Sequence, residues 1–220
     1  MKTALHALCT VFVLISSSMA FASIADRKIN YKGKNTSLKE AVLAQGVPSR
    51  PLELAFQFFD ANENNFDNHN YMTVIDFRTH SAKERFFLIN LNTGAVEAQM
   101  VSHGKGSDPG HDGIAERFSN IASSNMSSLG FYQVSETYNG KHGYSVKLDG
   151  LSPTNSKARS RAIVIHGATY VKRGLAKQGR SFGCPALDQN LSKGIINKIK
   201  EGSLLFIYAP AFEFLGLEQY

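Results

Sequence analysis

The stretch SRAIVIHGATYVKRGLAKQGRSFGCPALDQN, residues 160–190, holds one histidine, five glycines or prolines and one cysteine. Its first half, RAIVIHG, is rich in β-branched residues and predicts a strand that ends at His166. Ala162, Val164 and His166 are then expected on one face, which directs the imidazole off the rim of a packed core. Its second half puts Gly183 before Cys184 and Pro185 after it. Proline lacks an N–H and pushes the residue before it toward extended backbone, so Cys184 is expected in extended geometry.

Working outward, YMTVIDF (71–77) and Phe86–Asn90 read as strands. Asn92-Thr93-Gly94 marks a hairpin turn to a further strand at Val96–Val101. A glycine-rich loop, SHGKGSDPGHDG (102–113), follows, then strands at LGFYQVSETY (129–138), GYSVKLDG (143–150) and SLLFIYAP (203–210). NLSKGIINKIKEG (190–202) predicts a helix with Leu191, Ile195, Ile196 and Ile199 on one face and Gly202 beyond its end. Nearer the start, SLKEAVLAQGV and SRPLELAFQFFDANEN predict two short helices. Pro51 suits a first turn, and Leu52, Ala55, Phe56 and Phe59 recur at helical spacing. Residues 23 to about 37 are polar and read as a linker. The expected fold class is mainly β (β-rich α+β): residues 23–69 form a linker and helical N-terminal extension, and residues 70–220 one domain.

Residues 1–22 combine Lys2, an apolar run to Ile15 and small residues ending in Ala20-Phe21-Ala22. This is the pattern of a cleavable signal peptide, cut after Ala22 and directing export. The apolar run is too short for a comfortable span, so no membrane span is expected after cleavage. Removal takes Lys2 and lowers the net charge from +6 to +5. The basic residues are dispersed, which argues against nucleic acid as a partner. Cys9 leaves with the segment, so Cys184 remains as a solitary thiol in an exported chain. Such a thiol is either a small buried hydrophobe or a reactive group.

A cysteine attacks as its thiolate, and an imidazole activates it by taking the proton or by pairing with the anion. His166 has the right setting. The carbonyl of Gly167 can accept the Nδ1 proton and leave Nε2 facing the sulfur, as a carboxylate does in other triads. The N–H groups of Gly183 and Cys184 are candidate donors to a developing oxyanion. The following helix begins too far away for its dipole to act strongly on the thiol. This reading predicts a thiol titrating well below free cysteine, with the effect lost in His166→Ala.

His166-Gly167, then Ser181-Phe182-Gly183-Cys184 after fourteen residues (167–180), resembles the active-site signature of the L,D-transpeptidases, the YkuD-like family. SSLGFY (127–132) sits where that family has a Thr-Pro-x-Gly-x-Phe-like strand entry, and the likeness covers residues 70–210. Most members have histidine where this chain has Phe182, and an aliphatic-Arg pair at Pro185-Ala186. The fuller pattern resembles a divergent murein L,D-transpeptidase branch. The resemblance implies a YkuD-like β-sandwich or barrel and peptidoglycan stem peptides as partners, with no cofactor and no metal. It implies that Cys184 attacks the diaminopimelate–D-Ala bond of a tetrapeptide and releases D-Ala. The acyl group then passes to an amine of another stem, giving a 3-3 cross-link. Water as acceptor gives L,D-carboxypeptidase trimming instead, and carbapenems are expected to acylate the same thiol. Ser181, Arg180, Tyr170 and Tyr144 are candidates for substrate contact. His103 is a candidate replacement for the histidine missing at position 182.

Two rival readings differ in class. His103, Asp108, His111 and Asp112 cluster as a zinc site would, but without the spacing of familiar zinc motifs. GKGS (104–107) lacks the spacing of a phosphate loop. A non-catalytic peptidoglycan-binding module of the same fold has no need to keep Cys184 and His166 together. Oligomeric state is not encoded in any of these patterns.

Overall fold

A computed structural model describes residues 22–214. The expected signal peptide therefore lies outside the described residues except for Ala22. The segment read as a linker is ordered as a 3-10 turn at Ile24–Asp26 and an antiparallel ribbon, β1 (Lys28–Tyr31) and β2 (Lys34–Ser37). Only Ile29 and Ser37 of that ribbon are buried, so apolar alternation is too sparse to reveal it. Ser37 then caps α1 (Leu38–Leu43): its Oγ accepts from Glu40 N, and the Glu40 carboxylate accepts from Ser37 N, a reciprocal capping box. α2 (Ser49–Asn62) carries Pro51 in its first turn and buries Leu52, Leu54, Ala55, Phe56, Phe58 and Phe59. Phe58 stacks on Phe131 at 3.8 Å between centroids, and Phe131 stacks on Phe206 at 4.3 Å. The helical extension thus shares the core of the sheet.

The sheet comprises β3 (Tyr71–Asp76), β4 (Phe86–Asn90), β5 (Val96–Gln99), β6 (Gly130–Gly140), β7 (Gly143–Gly150), β8 (Val164–Ala168), β9 (Ala186–Asp188) and β10 (Ser203–Tyr208). Among the described residues their order is β5-β4-β3-β10-β6-β7-β8-β9. β10 lies parallel to β3 and β9 parallel to β8, and the other pairs are antiparallel. The chain leaving β5 comes back beside the opposite edge. Ser102 N donates to Ala186 O (2.9 Å), Ser181 N to His103 O (2.9 Å) and Lys105 N to Ser181 O (2.8 Å). These bonds nearly close the sheet into a barrel and satisfy backbone groups that an open edge would leave bare.

α3 (Ser192–Ile199) connects β9 to β10 and buries Ile195, Ile196 and Ile199. Leu191, expected on that face, precedes the helix and is 45% exposed. The chain leaves α3 through Glu201 and Gly202, both at positive φ. A short α4 (Ala211–Phe214) seats Phe212 against Phe206 and Phe131. Among the described residues no helix is long and apolar enough to cross a membrane.

Candidate active site

β8 is short because Ala162, expected on the His166 face, is not in the strand. It sits at φ +53°, in the left-handed region, and turns the chain into Ile163. β8 pairs with β7 through Ser145↔His166, Val146↔Ile165 and Lys147↔Val164. His166 is only 2% exposed, and its Nδ1 lies 2.9 Å from the carbonyl oxygen of Gly167. A carbonyl only accepts, so Nδ1 carries the proton and Nε2 is the basic nitrogen. Burial holds the imidazole below its ordinary pKa; the Gly167 bond works the other way, and His142 and Lys141 push it lower. Gly167 has a further reason to lack a side chain. A Cβ there would come within 2.5 Å of Ser192 Oγ and 2.9 Å of Gln189 Oε1, at the base of α3.

Cys184 is half-buried on the strip that leads into β9. Ser181 shapes this turn: its Oγ accepts from Gly183 N (3.1 Å) and donates to Cys184 O (2.6 Å). Ser127 Oγ donates to Gly183 O (3.1 Å) and accepts from Gly104 N, tying three loops together. Gly183 has φ +128°, and a Cβ on it would meet the carbonyl oxygen of Met126 at 2.8 Å. The Gly183 N–H, expected as an oxyanion donor, is thus occupied within its own turn. Among the described residues the Cys184 N–H has no protein acceptor.

The sulfur donates to the carbonyl of Ala162 over 3.6 Å. Burial pushes the thiol up from its ordinary value; a backbone contact at Val164 and the charges of Arg161 and Lys141 counter it only in part. That direction is opposite to the expectation of a depressed thiol. A desolvated site penalises both charged forms, the thiolate and the imidazolium.

Cys184 and His166 line one cavity of about 400 Å³, with Tyr138, Lys141, His142, Arg161, Tyr170, Arg180, Ser181 and Phe182 among its other walls. A second cavity of about 360 Å³ adjoins it and shares Lys141, His142 and Tyr170. An apolar groove bounded by Phe118, Leu129 and Phe214 lies elsewhere and has neither cysteine nor histidine in its walls.

Arg180 faces the first cavity while its Nη1 donates to the carbonyl of Asp108. Tyr170 packs over Gly179, where a Cβ would come within 2.7 Å of its ring. Phe182 stands 66% exposed at the cavity mouth under the ammonium of Lys105, 4.5 Å from its ring centre.

Two expected contacts fall elsewhere. Tyr144 is not in either cavity wall, and its hydroxyl donates to Asn197 Oδ1 of α3 (2.8 Å). His103 is 1% exposed and lies among Arg85, Asp108 and Phe77. Arg85 Nη2 donates to His103 Nδ1 (2.7 Å), so Nε2 bears the proton and faces Asp108 Oδ2 at 3.1 Å. Both ring nitrogens are engaged, and its backbone rather than its ring reaches Ser181. The Asp108 carboxylate also accepts from Asp112 N and Gly113 N. Among the described residues no group of three or more His, Cys, Asp or Glu is arranged to hold a metal ion.

Sequence reading missed Tyr138, Lys141, His142 and Arg161 as cavity residues. Lys141 and His142 form the tip of the β6–β7 hairpin, closed by the Gly140↔Gly143 pair. Arg161 is anchored by Nη1 to Ser119 O and Nη2 to Met126 O, both 2.6 Å. The one available signal was a histidine in the turn motif NGKHG, 24 residues from His166 in the chain.

A family model described as the L,D-transpeptidase catalytic domain (YkuD_2) matches residues 43–208. No curated protein matches. Among solved structures, an L,D-transpeptidase from Mycobacterium tuberculosis H37Rv is 15% identical, with a TM-score of 0.43 over 64% of this chain and 58% of that one. L,D-transpeptidase 3 from Mycobacterium tuberculosis, in complex with a faropenem-derived adduct, is 13% identical, with a TM-score of 0.43 over 64% and 60%. An L,D-transpeptidase from Xylanimonas cellulosilytica DSM 15894 is 15% identical, with a TM-score of 0.39 over 70% and 69%. The chain spans about three fifths of the length of the first two.

Proposed function

The chain belongs to the L,D-transpeptidase catalytic domain family, and from that premise we propose that it is an exported cysteine acyltransferase acting on tetrapeptide stems of peptidoglycan. The observation that carries this reading is the common cavity of Cys184 and His166, with Nδ1 of the imidazole bonded to the Gly167 carbonyl and Nε2 left basic.

The sulfur attacks the carbonyl between the third stem residue, diaminopimelate, and the terminal D-Ala. As the S–C bond forms, the thiol proton passes to His166 Nε2. A neutral imidazole is the competent form, and burial favours it at neutral pH. Cys184 N–H is the backbone donor available to the oxyanion. Collapse breaks the C–N bond, and the imidazolium gives its proton to the departing amine of D-Ala. The thioester is then opened by the amine of a second stem, whose surplus proton goes to His166 while the sulfur leaves. That product is a 3-3 cross-link; with water as acceptor it is a tripeptide. Ser181 acts through the turn it holds, and Arg180 and Tyr170 meet the stem from the cavity wall.

Incubation with disaccharide-tetrapeptide, followed by mass analysis, tests the reading. Loss of D-Ala with a cross-linked dimer supports transfer, loss of D-Ala with tripeptide alone supports trimming, and no change overturns both. A carbapenem is expected to add its mass to the wild-type protein and not to Cys184→Ala.

A further inference from the structure

His142 comes from a different element than His166, yet the two rings lie face to face, 4.3 Å between centroids and 22° from parallel. His142 sits at the tip of a hairpin pinned on both sides by glycine and forms part of the wall between the two adjoining cavities. The hydrogen bond to Gly167 fixes one edge of the His166 ring, but a single bond leaves rotation about that contact. A flat neighbour on the ring face removes that freedom.

We propose that His142 is a positioning residue, holding the ring plane of His166 and coupling the charge of one imidazole to that of the other. This rests on His166 being the base of the acyl transfer set out above. At this separation a charge on His142 repels a charge on His166. The other titratable groups around the cavity do not offset that repulsion. Tyr138 and Lys141 come from the hairpin, Arg161 from the turn before β8, and Tyr170, Arg180 and Cys184 from the segment after it. No carboxylate stands among these cavity walls. Lys141 acts on His166 in the same direction as His142.

The test compares wild type with His142→Phe, which keeps a flat ring without a charge, and His142→Ala, which removes the ring. Imidazole resonances of His166 are followed by NMR through a pH titration, and D-Ala release from tetrapeptide is measured on its pH plateau. Both variants are expected to raise the His166 midpoint by about half a pH unit. The plateau rate should hold within about twofold in His142→Phe and drop about tenfold in His142→Ala, where the base is no longer held in plane. An unmoved midpoint in both variants, or equal plateau losses in both, overturns the proposal. If wild type releases no D-Ala while the midpoints move as stated, the coupling of the rings is upheld and the acyl-transfer reading fails.

Discussion

Cys184 Sγ donates its hydrogen bond to the carbonyl of Ala162 over 3.6 Å rather than to the imidazole of His166. That carbonyl is presented by a residue in the left-handed region, a conformation that costs an alanine roughly 1–3 kcal/mol and persists only where its surroundings demand it. A thiol that donates to a carbonyl is a thiol in its protonated form, in line with burial pushing the group up. Titration of the thiolate absorbance should therefore give a midpoint above that of free cysteine. A midpoint well below it would show a preformed ion pair and refute this account of the resting site.

Replacing His166 separates activation from ground-state acidity. His166→Ala and His166→Gln are expected to slow D-Ala release by about 10²–10⁴-fold, the usual span for loss of a general base. The thiol itself should still titrate above free cysteine, because burial rather than the imidazole sets its position. Rates that stay within a few fold of wild type would remove His166 from the mechanism.

Gly183→Ala is expected to cost stability as well as activity. The residue sits at φ +128°, and the added methyl would press on the Met126 carbonyl at 2.8 Å. Both effects fall on the turn in which Ser181 grips Gly183 N and Cys184 O. A loss of roughly 1–3 kcal/mol in denaturant unfolding is the expected outcome. An unchanged unfolding midpoint would mean that the turn has room this geometry does not show.

The sheet was legible in the sequence where side chains alternate or branch. β4, β6, β7 and β10 fall where the pattern put them, since one or both of their faces are buried. Other parts of the chain left no such trace, or a false one. β9 is three residues long, the β1–β2 ribbon buries little, and Ala162 reads as strand by composition but departs through its backbone angle. At the site, the residues that could be named were those carrying chemistry at a fixed spacing, His166 and Cys184, with Tyr170, Arg180 and Ser181 from the segment between them. Lys141 and His142 reach the same cavity from the tip of the β6–β7 hairpin and Arg161 from the turn before β8, and no local pattern encodes that proximity. His103 misled in the opposite way. Its loop has the composition of a site, but its ring is locked beneath it.

That locked ring predicts a pH dependence of stability. Burial first, then the nearby charge of Arg85, hold His103 down at about 4 against an ordinary 6.5, although Asp108 pulls the other way. At neutral pH the ring is uncharged in both the folded and unfolded chain, so its contribution is fully present above about 6.5. As pH falls below that value the unfolded chain takes up a proton that the fold refuses, and stability is lost progressively until the folded ring also titrates near 4. The difference between the two values corresponds to on the order of 3 kcal/mol. Urea unfolding between pH 7 and pH 4 should show a loss of this order in wild type. In His103→Gln that component should be absent, with lower stability at pH 7 because Arg85 and Asp108 lose their shared partner. D-Ala release by His103→Gln, measured where the variant is folded, should retain the wild-type acid limb, which the proposed mechanism assigns to His166. A shifted limb would bring His103 back into the chemistry of the site.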